Sequence, residues 1–194
     1  IGQLNEGAFT FARNAVQNSN ISCTYVSGPV GGIVGFCNYG DKSFTECVVK
    51  NTVIKAKTAA GGVIGSTMSN GAAGQTFKFE DCEISHLTFE SVDDGKITKS
   101  GGFVGAKYWR GLKNTAIELN ECTAQDIMVN AAEGSTVGVL FGEAVDTCTY
   151  NVTDSTIAVT ESAENAVPVL VAAAANGSTI KIEDSANSSE HKTQ

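Results

Sequence analysis

The residues of this chain whose type and spacing could do chemistry are five carboxylates, three thiols and one aromatic–basic cluster. Glu46, Asp81, Glu121, Asp154 and Asp184 each stand directly before a Cys or Ser. The stretches are Phe44-Thr45-Glu46-Cys47, Phe79-Glu80-Asp81-Cys82, Leu119-Asn120-Glu121-Cys122, Val152-Thr153-Asp154-Ser155 and Ile182-Glu183-Asp184-Ser185, with an amide-bearing copy at Val16-Gln17-Asn18-Ser19. Copies stacked in register would align the acids in a column, and a column of oxygen ligands is a weak site for calcium or another hard cation. The plainer reading has each side chain accept backbone N–H bonds at its own turn. Lys50 and Lys78 then offset like-charge repulsion, which is about 1 kcal/mol per ~4 Å contact in water. The plainer reading is preferred, so no metal centre and no cofactor is assigned.

The thiols occupy one position of this pattern. Ser19, Cys47, Cys82, Cys122, Ser155 and Ser185 exchange only small residues, which predicts an interior ladder of buried, unpaired thiols and hydroxyls. No CxxC pair exists, which argues against zinc. Cys23, Cys37 and Cys148 fall outside the column, and their pairing cannot be read from spacing. Lys107, Tyr108, Trp109 and Arg110 include the only Trp of the chain, and aromatic rings beside Arg are frequent anchors for proteins and sugars. Folding of Trp109 back over its neighbours is the competing reading. His86 lies beside Cys82 and Ser85, with nothing in sequence to orient it as a base. Asp93-Asp94-Gly95-Lys96 lacks calcium-loop spacing and reads as a turn.

The elements that must position these residues follow from a repeat. Gly31-Gly32-Ile33-Val34-Gly35, Gly61-Gly62-Val63-Ile64-Gly65 and Gly101-Gly102-Phe103-Val104-Gly105 share one form, and Gly138-Val139-Leu140-Phe141-Gly142 is a worn copy. Aligned on the Ser or Cys position, the steps are 28, 35, 40, 33 and 30 residues, a period typical of solenoids. Phe79 and Cys82 are three apart yet both core-like, so the strand must bend between them, at a polar pair that faces solvent. The flanking glycines suit positive φ and close backbone approach. The expected fold is therefore all-β: a parallel β-helix or β-roll of about five to six coils, within a single domain, 1–194. Residues 1–30 read as an irregular first coil or cap, 31–185 as stacked coils and 186–194 as a polar tail.

Composition narrows the partners. A net charge of -8 argues against nucleic acid, and no run approaches the ~20 apolar residues of a membrane helix. The glycine-bracketed pentapeptide followed by an Asp/Glu-Cys strand resembles the GLUG-type repeats of bacterial surface proteins over residues 31–160. Val139 in place of a glycine, and Val169-Leu170-Val171-Ala172 without any, depart from that pattern. The resemblance implies an exported, cell-surface setting and no activity of its own. Three functions are expected in descending order: a non-catalytic adhesin or spacer presenting loops to a host protein or glycan, a polysaccharide lyase or glycosidase, and a structural stalk whose partner is a neighbouring domain. The carboxylates form one column rather than an opposed pair, which disfavours the enzyme.

Overall fold

The computed structural model describes the chain apart from residues 26–27, 58, 69–73, 94–95, 98, 108–113, 146–147, 159–165, 175–177, 184 and 188–194. Among the described residues there are strands and no helix, and every strand pairing is parallel. The strands form three sheets, each made of equivalent segments from successive repeats.

One sheet, here called the glycine sheet, orders Gln3–Leu4, Val34–Cys37, Ile64–Thr67, Val104–Lys107 and Ser135–Ala144, then returns through Ser100–Gly101, Ala60–Gly61 and Val30–Gly31. Ala166–Ala174 also pairs with Ser135–Ala144. A second sheet runs Phe9–Ala12, Lys42–Thr45, Gln75–Glu80, Thr115–Asn120, Thr149–Thr153, Ile180–Glu183. The third runs Ala15–Gln17, Val48–Ala56, Glu83–Ser91, Thr123–Asn130, Thr156–Ile157, Ala186–Asn187, with Asn20–Ser22 also paired to Val48–Ala56.

The alternating pattern of each strand sets what is buried. Phe44, Phe79, Leu119 and Val152 point inward, and so do Val49, Ile84, Ala124 and Ile157 across the bend. Phe11, Phe44 and Phe79 stack with ring centroids 4.9 and 5.0 Å apart, the spacing of neighbouring strands. In the glycine element both adjacent apolar residues are buried, as with Phe103 and Val104, because the chain turns sharply there.

The glycines serve close approach and not unusual backbone angles. The glycines with positive φ are Gly7, Gly40 and Gly134, and none belongs to a pentapeptide. A Cβ on Gly32 or Gly62 would strike the carbonyl oxygen of the equivalent glycine in the next repeat, and one on Gly102 would strike that of Val139. Val139 itself is accommodated because its own next repeat is one residue shorter. Gly138 pairs with Val169 but Phe141 with Val171, a bulge that relieves the crowding.

One expectation needs correction. Within the first thirty residues, Phe9–Ala12 and Ala15–Gln17 lie in full register with Lys42–Thr45 and the start of Val48–Ala56. That register also moves the first copy by five residues. Ala12 faces Thr45 and Ala15 faces Val48, so Asn14 and not Ser19 stands in the column of Cys47. The motif Val16-Gln17-Asn18-Ser19 copies the polar-then-small signature by chance of composition, whereas inward burial of Phe11 under Phe44 decides the pairing.

Candidate functional site

Both faces of the bend between second and third sheets carry the residues singled out from sequence. Glu46, Asp81, Glu121 and Asp154 occupy the bend itself, at φ of 51, 51, 53 and 50°, and all four are exposed. A single left-handed residue lets Phe79 and Cys82 face the same core although three apart. The backbone N–H of each acid donates to the next repeat: Glu46 N to Glu80 O at 2.9 Å, Asp81 N to Asn120 O at 3.1 Å, Glu121 N to Thr153 O at 3.2 Å, Asp154 N to Glu183 O at 3.3 Å. In the first repeat the same position holds Arg13, φ 56°, whose guanidinium lies 3.9 Å from Glu46. Asp184 lies outside the described residues. Among the described residues no three His, Cys, Asp or Glu side chains converge as a metal group.

One residue further along, the column Asn14, Cys47, Cys82, Cys122, Ser155, Ser185 is continuous. Each small side chain donates back two residues: Cys82 Sγ to Glu80 O at 3.3 Å, Cys122 Sγ to Asn120 O at 3.3 Å, Ser155 Oγ to Thr153 O at 2.7 Å, Ser185 Oγ to Glu183 O at 2.9 Å. Copies are joined as well, for Cys82 Sγ reaches Phe44 O at 3.3 Å and Cys122 N donates to Ser155 Oγ at 3.0 Å. Cys47, Cys82 and Cys122 are buried to 1–2% exposure, and all six cysteines are free thiols. Burial pushes the Cys47 thiol up. The hydrogen bond from the Cys122 thiol holds Cys82 down to about 7, and that bond, with burial, pushes Cys122 up. Ser19 instead donates to Gln17 O at 2.9 Å in an exposed turn.

A second left-handed column, missed in the sequence, runs Asn18, Asn51, His86, Asp126 with φ of 50, 49, 50 and 53°. It puts a bend within Val48–Ala56, Glu83–Ser91 and Thr123–Asn130 while leaving them paired. Asn51 Nδ2 donates to Asn18 Oδ1 at 3.3 Å, and His86 Nε2 lies 3.4 Å from Asp126 Oδ2. Close by, Lys50 reaches Glu83 at 3.3 Å, and Ser85 Oγ donates to Glu83 Oε1 at 2.6 Å. Ser85, Lys50 and His86 hold the Glu83 carboxyl below its usual range against the effect of burial. The column was visible as Asn, His and Asp at one step of the repeat, residue types that tolerate this backbone better than most.

Lys42 was also missed. It shares a register with Phe9, Phe77, Ile117, Tyr150 and Ile180, so its side chain enters an otherwise apolar row and is buried to 1%. Its ammonium donates three hydrogen bonds of 2.8 Å, to the carbonyl oxygens of Gly7, Tyr39 and Gly40, and lies 5.3 Å from the Phe9 ring centroid. Burial lowers its pKa, partly opposed by Cys37 and Asp41. Three donors with three acceptors make it a pin between the first two repeats.

Tyr108, Trp109 and Arg110 lie outside the described residues, and Lys107 ends the strand Val104–Lys107. The flanks of that connection are fixed. Thr67 pairs with Lys107 and Gln75 with Thr115, so residues 68–74 and 108–114 connect the same two sheets in neighbouring repeats. In the preceding repeat this connection is only 38–41. No family model, curated protein or solved structure matches this chain.

Proposed function

We propose that the three parallel sheets are the faces of a β-helix whose coils are the sequence repeats, about five to six of them, and that this stack is a non-catalytic surface module. The observation that carries the reading is the placement of two matching seven-residue connections, where the preceding repeat has four residues. Residues 68–74 and 108–114 join the same pair of sheets in neighbouring repeats, with their flanks paired as Thr67 with Lys107 and Gln75 with Thr115, and the second holds Trp109 and Arg110. The cores of the three sheets are filled by apolar side chains, the Cys column and the Lys42 pin, so the chemistry-bearing residues inside are consumed by packing. Aromatic and Arg side chains on the second insertion are suited to a host protein or glycan. The GLUG-type resemblance supports an extracellular or cell-surface setting.

The test is a glycan-array and host-protein screen with the intact chain, repeated with Trp109→Ala. Binding that Trp109→Ala weakens at least tenfold supports the reading; binding unchanged by Trp109→Ala places the surface elsewhere. A second reading, a polysaccharide-acting enzyme, is favoured only by the Glu83, His86 and Asp126 side chains sharing one face of the third sheet. Depolymerisation of a uronate or host glycan, lost in Glu83→Gln, would put it first. If the screen and the assay both stay silent, a stalk that meets only a neighbouring domain is what is left.

A further inference from the structure

The three stacked thiols are in-register neighbours in successive repeats. Cα atoms of in-register residues on neighbouring parallel strands lie about 4.8 Å apart, within the ~4.4–6.8 Å that a disulfide spans. Next-but-one repeats lie about 9.6 Å apart by the same spacing, beyond the ~7 Å limit. The stacked rings of Phe44 and Phe79, in the repeats of Cys47 and Cys82, lie 5.0 Å apart. Cys82 has a column thiol in the repeat on either side, Cys47 and Cys122, and the trio is closed by Asn14 at one end and Ser155 at the other. No thiol outside the trio joins it.

We propose that Cys47, Cys82 and Cys122 are a peroxide-oxidised modification site, in which Cys82 closes a disulfide with either column neighbour and bonds successive repeats covalently. The Cys82 thiolate attacks one oxygen of hydrogen peroxide and the O–O bond breaks. This leaves a sulfenic acid on Cys82 and a hydroxide, which departs as water with the proton the thiol released. The sulfur of Cys122 or Cys47 then attacks the Cys82 sulfur, the S–O bond breaks and the S–S bond forms. The second hydroxide leaves as water with the attacking thiol's proton. In total two thiols and one peroxide give one disulfide and two waters. Cys82 is the middle thiol of the three and alone has a thiol neighbour on either side, so it takes part in whichever bridge forms.

The experiment treats the folded chain with equimolar hydrogen peroxide, denatures it in iodoacetamide and reads its intact mass and disulfide-linked peptides. It is run on the wild type and on a Cys23→Ser/Cys37→Ser/Cys148→Ser background. In that background alkylatable thiols fall from three to one, with the mass of two hydrogens lost. Added to it, Cys47→Ser and Cys122→Ser each keep the disulfide, because an adjacent pair survives, and Cys82→Ser abolishes it. Serine already occupies this column at 155 and 185, so each change matches the site. A Cys47–Cys122 bridge in Cys82→Ser, three thiols still alkylated after treatment, or sulfinic and sulfonic acids without a disulfide each overturn the proposal. Should a variant not fold, the wild-type peptide map decides: a bridge at Cys82 to Cys47 or Cys122 supports it, and any other bridge or none refutes it.

Discussion

Adding a single methyl group at Gly62 should cost the fold several kcal/mol, although the backbone there is ordinary. Gly62 does not have positive φ, so alanine meets no conformational penalty, and what remains is steric. Its Cβ would lie closer than 3.0 Å to the carbonyl oxygen of Gly102, with Gly102 C at 3.1 Å and Leu87 Cδ2 at 3.0 Å. The oxygen and carbon are backbone atoms of a turn held between two paired strands and cannot swing away. Relief requires the two turns to separate by about 1 Å, which breaks the bonds Gly62 N to Gly101 O at 3.0 Å and Ile64 N to Phe103 O at 2.9 Å. At about 1 kcal/mol for each bond and ~1–3 kcal/mol for overpacking, the loss is roughly 3–5 kcal/mol. That is a large share of the ~5–15 kcal/mol by which domains are stable. The control is Gly74→Ala, whose added Cβ meets, among the described residues, only Asn114 O at 3.6 Å and should stay within about 0.5 kcal/mol. Urea denaturation followed by circular dichroism gives both values. Equal stability of Gly62→Ala and wild type would refute the close stacking of the glycine turns.

Lys42→Met removes the donor of three carbonyl hydrogen bonds from a part-buried cage and should cost roughly 1–3 kcal/mol, read as a lower urea midpoint. Glu121→Asn replaces a left-handed residue by one that adopts this backbone more readily, with an exposed side chain, and should gain about 0.5–1 kcal/mol in the same assay. Burial pushes the Cys37 thiol up to about 12 from 9.0, so the folded state holds this proton longer than the unfolded chain. Its contribution is complete below pH 9 and is lost as pH rises from 9 toward 12, by at most about 1.4 kcal/mol per pH unit. Lys42, lowered in the fold, works in the opposite direction over the alkaline range. Under reducing conditions the urea midpoint should therefore fall between pH 8.5 and 11, and Cys37→Ala should flatten the fall.

Much of this arrangement is written in residue types. The inward alternation of Phe77 and Phe79, or Leu87 and Phe89, gives the strands, and the polar pair Glu80-Asp81 between two buried residues gives the bend. The second bend was hidden because Asn51, His86 and Asp126 sit inside runs that read as unbroken strands. The left-handed angle there depends on three repeats bending together, which no single copy reveals. Ser19 was misplaced because a four-residue signature is matched easily in a chain rich in Ser, Thr and Asn, whereas pairing is decided by which aromatic lies under Phe44. Lys42 was overlooked for the reason that makes it useful. A lysine normally marks a solvent face, and only alignment with Phe77 and Ile117 shows that its row is interior. The glycines were legible as sites of close approach, but the left-handed angles fell to acids and amides, since exposed bends tolerate a side chain that the crowded turns do not.

The central claim is that equivalent residues of successive repeats lie directly over one another, and a distance ladder on one outward column tests it most directly. Thr10, Ser43, Lys78, Glu118, Asn151 and Lys181 are consecutive in-register partners. Spin labels on a ketone-bearing unnatural residue, which spares the cysteines, are placed at Thr10 together with Glu118, Asn151 or Lys181. Pulsed electron resonance should give mean separations rising by about 4.8 Å per repeat, near 14, 19 and 24 Å. Separations that instead grow irregularly, or follow the number of intervening residues, would contradict the stacking and every site built on it.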